Sequence, residues 1–98
     1  MRKLLLGLTL AGLAMPNAFA AQGSVDMARI TCAEYLAMSP ADSAVFSAWM
    51  SGWFNQKKGY VWVDINAYNR NVASVKAWCV GNPTQTVMAG LERSTAGQ

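Results

Sequence analysis

The sequence predicts a small all-α fold: a single-domain bundle of about four short helices, one disulfide, and an extended segment between the second and third helices. Three observations carry this. Helix-start signals stand before the apolar-periodic runs, at Thr31-Cys32-Ala33-Glu34, at Ser39-Pro40-Ala41-Asp42 and at Asn82-Pro83-Thr84-Gln85. Apolar residues recur mostly at helical spacing, with one alternating stretch from Tyr60 to Ile65. The 2 cysteines, Cys32 and Cys79, lie far apart behind an N-terminal segment built like an export signal.

That segment sets the compartment. Arg2 and Lys3 form a basic start, Leu4 to Met15 an apolar run, and Ala18-Phe19-Ala20 a small-x-small cleavage site. The expected organisation is a signal peptide over 1–20 and one helical domain over 21–98, with ends frayed over about 21–28 and 94–98. The apolar run is too short to span a bilayer, and no second hydrophobic segment follows it. No cysteine follows the small residues, so a lipid-anchored start is not expected. The expected address is the periplasm, where thiols oxidise. A Cys32–Cys79 bridge would close a loop of 48 residues, counted inclusively. Such a loop contributes roughly 4 kcal/mol on the chain-entropy estimate.

Cleavage after Ala20 would leave 98 − 20 = 78 residues and remove Arg2 and Lys3, lowering the net charge from +3 to +1. The remaining cations are dispersed, with only Lys57 and Lys58 adjacent. A phosphate-tracking surface needs clustered cations, so nucleic acid is not an expected partner.

The elements follow in order. Thr31 and Glu34 form a capping box that opens a short helix over about Cys32 to Met38. Ser39 caps the second helix, with Pro40 at its first position and Asp42 near its positive end. This helix should run to about Gln56, with Gly59 as its stop. Tyr60 to Ile65 alternates and is rich in β-branched and aromatic residues, which predicts an extended segment. Asn69 or Asn71 is the expected cap of a third helix through Val75 and Cys79, broken by Gly81-Asn82-Pro83. Asn82-Pro83-Thr84-Gln85 is the expected cap of a last helix through Val87, Met88 and Leu91.

The second helix holds the sharpest pattern. Val45, Trp49 and Trp53 form one row at i, i+4, i+8, and Phe46, Met50 and Phe54 form a parallel row one residue on. Together they cover an arc of roughly 180°, more than the stripe of about 100° that a single core needs. Ser43, Ser47, Ser51 and Asn55 read as the polar face. Ala44, Ala48 and Gly52 read as a strip where another backbone could come close. Either a small fold buries both rows, or one row is left for a partner, a second copy of the chain being the economical one. Trp62 and Trp78 could belong to either surface.

Catalytic constellations are missing from the sequence. With no histidine there is no Ser-His-Asp or Cys-His system. The 5 carboxylates are scattered, there is no Gly-rich phosphate loop, and there is no Cys-x-x-Cys. Two lone cysteines make a poor metal shell. No catalysis, metal or cofactor is expected.

The start Thr31-Cys32-Ala33-Glu34-Tyr35-Leu36, the aromatic helix after it, Val63-Asp64, and Cys79 followed by Asn82-Pro83 resemble the HdeA/HdeB family of periplasmic acid-stress chaperones, and its HdeB-like members in particular. The likeness covers about residues 29 to 93, and its specificity lies in the order and spacing of the motifs together. It implies an all-helical domain whose disulfide joins the first helix to the third. It also implies a homodimer near neutral pH. In acid the dimer would loosen and expose apolar surface that holds unfolded periplasmic proteins in solution without ATP. On this reading Val45, Phe46, Trp49, Met50, Trp53 and Phe54 form the client-binding or dimer surface.

Carboxylates as a class lose their charge near pH 4. Full protonation would take the side-chain charge of the shortened chain from +1 to +6, and like-charge repulsion would loosen weak contacts. The expected sensors are Asp42, at a helix start, and Asp64, between apolar residues. A second class of function fits the same residues: a small disulfide-stapled periplasmic binding or inhibitory module, whose aromatic face docks one partner at neutral pH. Association of the aromatic helix with a membrane surface is not expected, because it has almost no Lys or Arg along it, and stable membrane insertion is not expected without a long apolar run.

Overall fold

The computed structural model describes residues 23–98, and the signal-peptide reading of 1–20 falls outside them. A 3-10 turn at Met27–Arg29 leads into four helices: α1, Cys32–Leu36; α2, Pro40–Lys58; α3, Ile65–Val80; and α4, Val87–Ser94. Residues 60–64, between α2 and α3, are neither helix nor strand. The all-α architecture expected from the sequence is the one observed.

Local chemistry fixes most element ends. At α1 the Thr31 hydroxyl accepts the Glu34 amide at 3.1 Å, and the Glu34 carboxylate accepts the Thr31 amide at 2.9 Å. This reciprocal pair satisfies two amides that a helix start otherwise leaves orphaned. Ser39 caps α2 by accepting the Asp42 amide, with Pro40 at the first helical position. Gly59 ends α2 at φ 80°, a left-handed conformation open to glycine at little cost.

Two caps differ from expectation. The third helix starts at Ile65, not near Asn69 or Asn71, because the Asp64 carboxylate accepts the Ala67 amide at 3.0 Å. Both asparagines therefore lie inside α3. The cap of α4 is Thr86, whose hydroxyl accepts the Ala89 amide at 3.2 Å. Asn82 instead closes α3, its side-chain amide donating to the Trp78 carbonyl at 2.8 Å.

The starts of α1 and α4 are tied together. Cys32 and Ala33 donate their amides to the Gln85 and Pro83 carbonyls, and Val87 donates to Ile30. A single antiparallel bridge joins Thr31 to Thr86 among the described residues. The Cys32–Cys79 disulfide fastens the C-terminal end of α3 to the same junction. As the resemblance implied, it joins the first helix to the third.

The core lies around this junction: Ile30, Cys32, Tyr35, Met50, Val75, Cys79, Val87 and Leu91. Among the described helices, α3 and α4 pack most closely, and their approach depends on Gly90. A Cβ there would stand 3.0 Å from Trp78 Cε3 and 3.5 Å from Val75 Cγ1. Gly90→Ala is therefore expected to destabilise the fold by about 1–3 kcal/mol through overpacking, despite alanine's better helix propensity. Thermal melts of the two chains check this, and a melt at or above the parent's would show that the Trp78 ring yields freely.

Residues near both ends of the described chain make contacts. Val25 and Met27 pack against the core, and Asp26 caps the Met27–Arg29 turn. Thr95, read as part of a frayed tail, is buried, and its hydroxyl donates to the Leu91 carbonyl at 2.7 Å.

Candidate functional site

Helix α2 departs most from ordinary core packing. Its backbone lies farther from the other helices than α3 and α4 lie from each other, so side chains span the gap. Its only fully buried apolar residue is Met50. Ser43 and Ser47 are buried beside it, which corrects the reading of these serines as a polar face. The cause lies in α1: the Tyr35 ring is buried, and its hydroxyl is hydrogen-bonded to the Ser47 hydroxyl. A small hydroxyl residue at this position admits the ring and pairs with its polar tip. The Ser43 hydroxyl is buried with no hydrogen-bond partner. Such a group costs about 1–3 kcal/mol and weakens the seat of α2.

The two aromatic rows separate. Phe46 and Phe54 pack half-buried against the core with Met50 between them. Val45 and Trp49 point outward, 64% and 45% exposed. Trp53 is half-buried and stacks with Trp49 at a ring separation of 6.5 Å and an interplanar angle of 14°. The Lys57 ammonium lies 4.4 Å from the Trp53 ring centroid. Of the six residues expected to form one interaction surface, Met50 is buried in the core of the folded chain. Val45 and Trp49 are accessible in the folded chain. Ala44, Ala48 and Gly52 are exposed, and a Cβ on Gly52 would meet nothing within 4 Å, so no described backbone packs on that strip.

Trp49 and Trp53 line a shallow groove together with Met27, Met88, Asp26 and Glu92. Thioethers and indoles give such a surface a soft, adaptable apolar lining. Trp62 and Trp78 also divide: Trp78 packs on the core, and Trp62 is 60% exposed.

The segment after α2 adds apolar surface whose exposure the sequence signalled only weakly. Val61, Trp62, Val63 and Ile65 are all more than half exposed. The Tyr60 and Trp62 rings stack at 4.8 Å. The Asn55 side chain donates to the Trp62 carbonyl at 3.5 Å, a long contact that holds the segment loosely to α2. The alternation that predicted an extended segment was the available signal, since a strand-like stretch with no partner strand leaves its apolar residues outside.

The carboxylates gather at helix starts. Asp26 accepts the Ala28 amide, Glu34 the Thr31 amide, and Asp64 the Ala67 amide. Asp42 lies in the first turn of α2. These four of the chain's 5 acidic residues all stand where a helix macrodipole favours negative charge. Asp42 and Asp64 are both exposed.

The profile of the HdeA/HdeB family matches residues 3–89. The chain belongs to the HdeA/HdeB family. No curated protein and no solved structure gives a significant match. HdeA/HdeB proteins are acid-stress chaperones of the periplasm, not enzymes. In this HdeA/HdeB chain no helix among the described residues is long and apolar enough to cross a membrane. Nor do those residues include a group of acidic, cysteine or histidine side chains that could hold a metal.

Proposed function

We propose that this chain is a periplasmic acid-stress chaperone, an ATP-independent holdase exported by a signal peptide cleaved after Ala20. The observation that carries the reading is the Val45–Trp49–Trp53 row. It is a partly exposed apolar face, with two stacked indoles, on a helix that meets the rest of the fold mainly through side chains. At neutral pH the folded chain pairs as a homodimer that covers part of this apolar surface. In acid the dimer loosens, α2 lifts from its weak seat, and Phe46, Met50 and Phe54 join the exposed row. Clients are periplasmic proteins that acid has unfolded.

The carboxylates supply the direction of the response. An anion at a helix start stabilises it by about 0.3–1 kcal/mol, and protonation removes that contribution. Protonation of carboxylates in acid raises the net positive charge, and the fold repels itself. Asp42 and Asp64 act as sensors in this scheme. Asp42→Asn and Asp64→Asn keep a capping-type side chain and remove the charge. Each is expected to move the midpoint of the acid transition, followed by tryptophan emission. An unmoved midpoint in both removes them from the role.

The experiment for the function is sedimentation of the chain with an acid-sensitive client at pH 7 and at pH 3. Dimer alone at pH 7 and soluble client complexes at pH 3 support the holdase. A second reading draws on the Trp49–Trp53–Met27–Met88 groove, which is open without any unfolding. Tight binding of one partner at pH 7, with no gain in acid, would favour a dedicated binding or inhibitory module.

A further inference from the structure

On another side of α2 lies an open cavity of about 290 Å³, lined by residues of α2, residues 60–64, α3, α4 and the segment after it. Four aromatic side chains reach it: Phe54, Tyr60, Trp62 and Tyr68. Among the described residues that line it, Asp64 is the only one with a charged side chain, and no Lys or Arg lines it. One carboxylate oxygen of Asp64 accepts the Ala67 amide, and the other makes no hydrogen bond within the described chain. At the far end Asn71 and Gln98 are hydrogen-bonded to each other through both side-chain amides.

We infer that this cavity binds a small organic cation, such as a quaternary ammonium group or a compact protonated amine. Three properties select that class. A volume near 300 Å³ suits a small ligand in an apolar pocket with few polar groups. Aromatic faces carry negative potential and attract cations held within about 6 Å of the ring centre. A lone carboxylate without a cationic neighbour on the cavity wall disfavours an anion and offers a counter-charge to a cation. The Lys58 ammonium lies 5.7 Å from the Phe54 ring centroid but does not itself line the cavity. The site is separate from the Trp49–Trp53 groove and needs no acid.

The probe is choline, titrated into the full chain at pH 7 by calorimetry, beside its neutral carbon isostere in which the quaternary nitrogen is replaced by carbon. Choline is expected to bind saturably with one site per chain, and the isostere at least about tenfold more weakly. Asp64→Asn and Trp62→Ala are each expected to weaken choline by about tenfold or more. Both variants should fold. Asparagine caps a helix about as well as aspartate, and the Trp62 side chain is mostly exposed. Circular dichroism melts confirm the fold of each. Equal binding of the isostere would mean an apolar cavity with no cation preference and would overturn the inference. So would the absence of saturable choline binding, or choline affinity unchanged in both folded variants.

Discussion

A chain with Cys32→Ser and Cys79→Ser is expected to lose about 2–5 kcal/mol of folding stability, most of what a domain this small can hold. Both cysteines are fully buried, and they join residues 47 positions apart. Opening the bond removes a restraint on a long stretch of the unfolded chain. It also frees the junction where the starts of α1 and α4 meet the end of α3. Helix α2 and the segment after it lie within the closed loop, so the acid opening proposed for them would be tethered at both ends. Urea unfolding with and without reductant checks the magnitude. Reduction should leave the chain largely unfolded at pH 7. A reduced chain whose midpoint falls by less than about 1 kcal/mol equivalent would show that α3–α4 packing alone holds the fold.

The second large effect is on activity rather than stability. Val45→Ser with Trp49→Ser is expected to remove most client protection in acid while lowering stability by no more than about 1–2 kcal/mol. Both residues are largely exposed, and the main stabilising interaction that the pair removes is the Trp49–Trp53 stack, about 0.5–1.5 kcal/mol. An exposed tryptophan that becomes buried against a client can contribute about 2 kcal/mol or more to binding. The control is Met50→Ala, beside Trp49 in sequence but facing the core. It should cost about 2–5 kcal/mol in stability at pH 7. It is expected to bring the acid opening to higher pH and to leave protection in strong acid largely intact. If the Val45 and Trp49 pair protects clients as well as the parent chain, the exposed row is not the client surface.

How far the sequence alone reaches depends on the range of the interactions involved. The Thr31–Glu34 box, the Ser39-Pro40 start and the Gly59 stop are made within one or two turns, and their residues name them. The cap of α3 is hidden because Asp64 closes an alternating stretch, and the pattern around it masks its capping role. Thr86 is hidden by a stronger-looking signal, Asn82-Pro83 with Gln85, that stands just before it. The sidedness of α2 is not legible, since two apolar rows make both flanks eligible for the core. The Tyr35–Ser47 pair decides it, 12 residues apart and on different helices. The same holds for Gly90, a glycine inside a helix whose reason is the Trp78 ring on another element. Burial of Ser43 and Ser47 runs against composition and has no local signal. Exposure of the segment from Val61 to Ile65 has only the weak one of an alternation without a partner strand.

The central claim is that acid turns this chain into a promiscuous holdase. Light scattering tests it most directly, on a mixture of acid-sensitive periplasmic proteins shifted to pH 2–3 and then neutralised, with and without the chain. Suppressed scattering in acid, with weak or no effect in a parallel run held at pH 7, is the predicted result. Undiminished aggregation across the acid range would contradict the claim and leave a member of the HdeA/HdeB family whose aromatic face serves a partner at neutral pH.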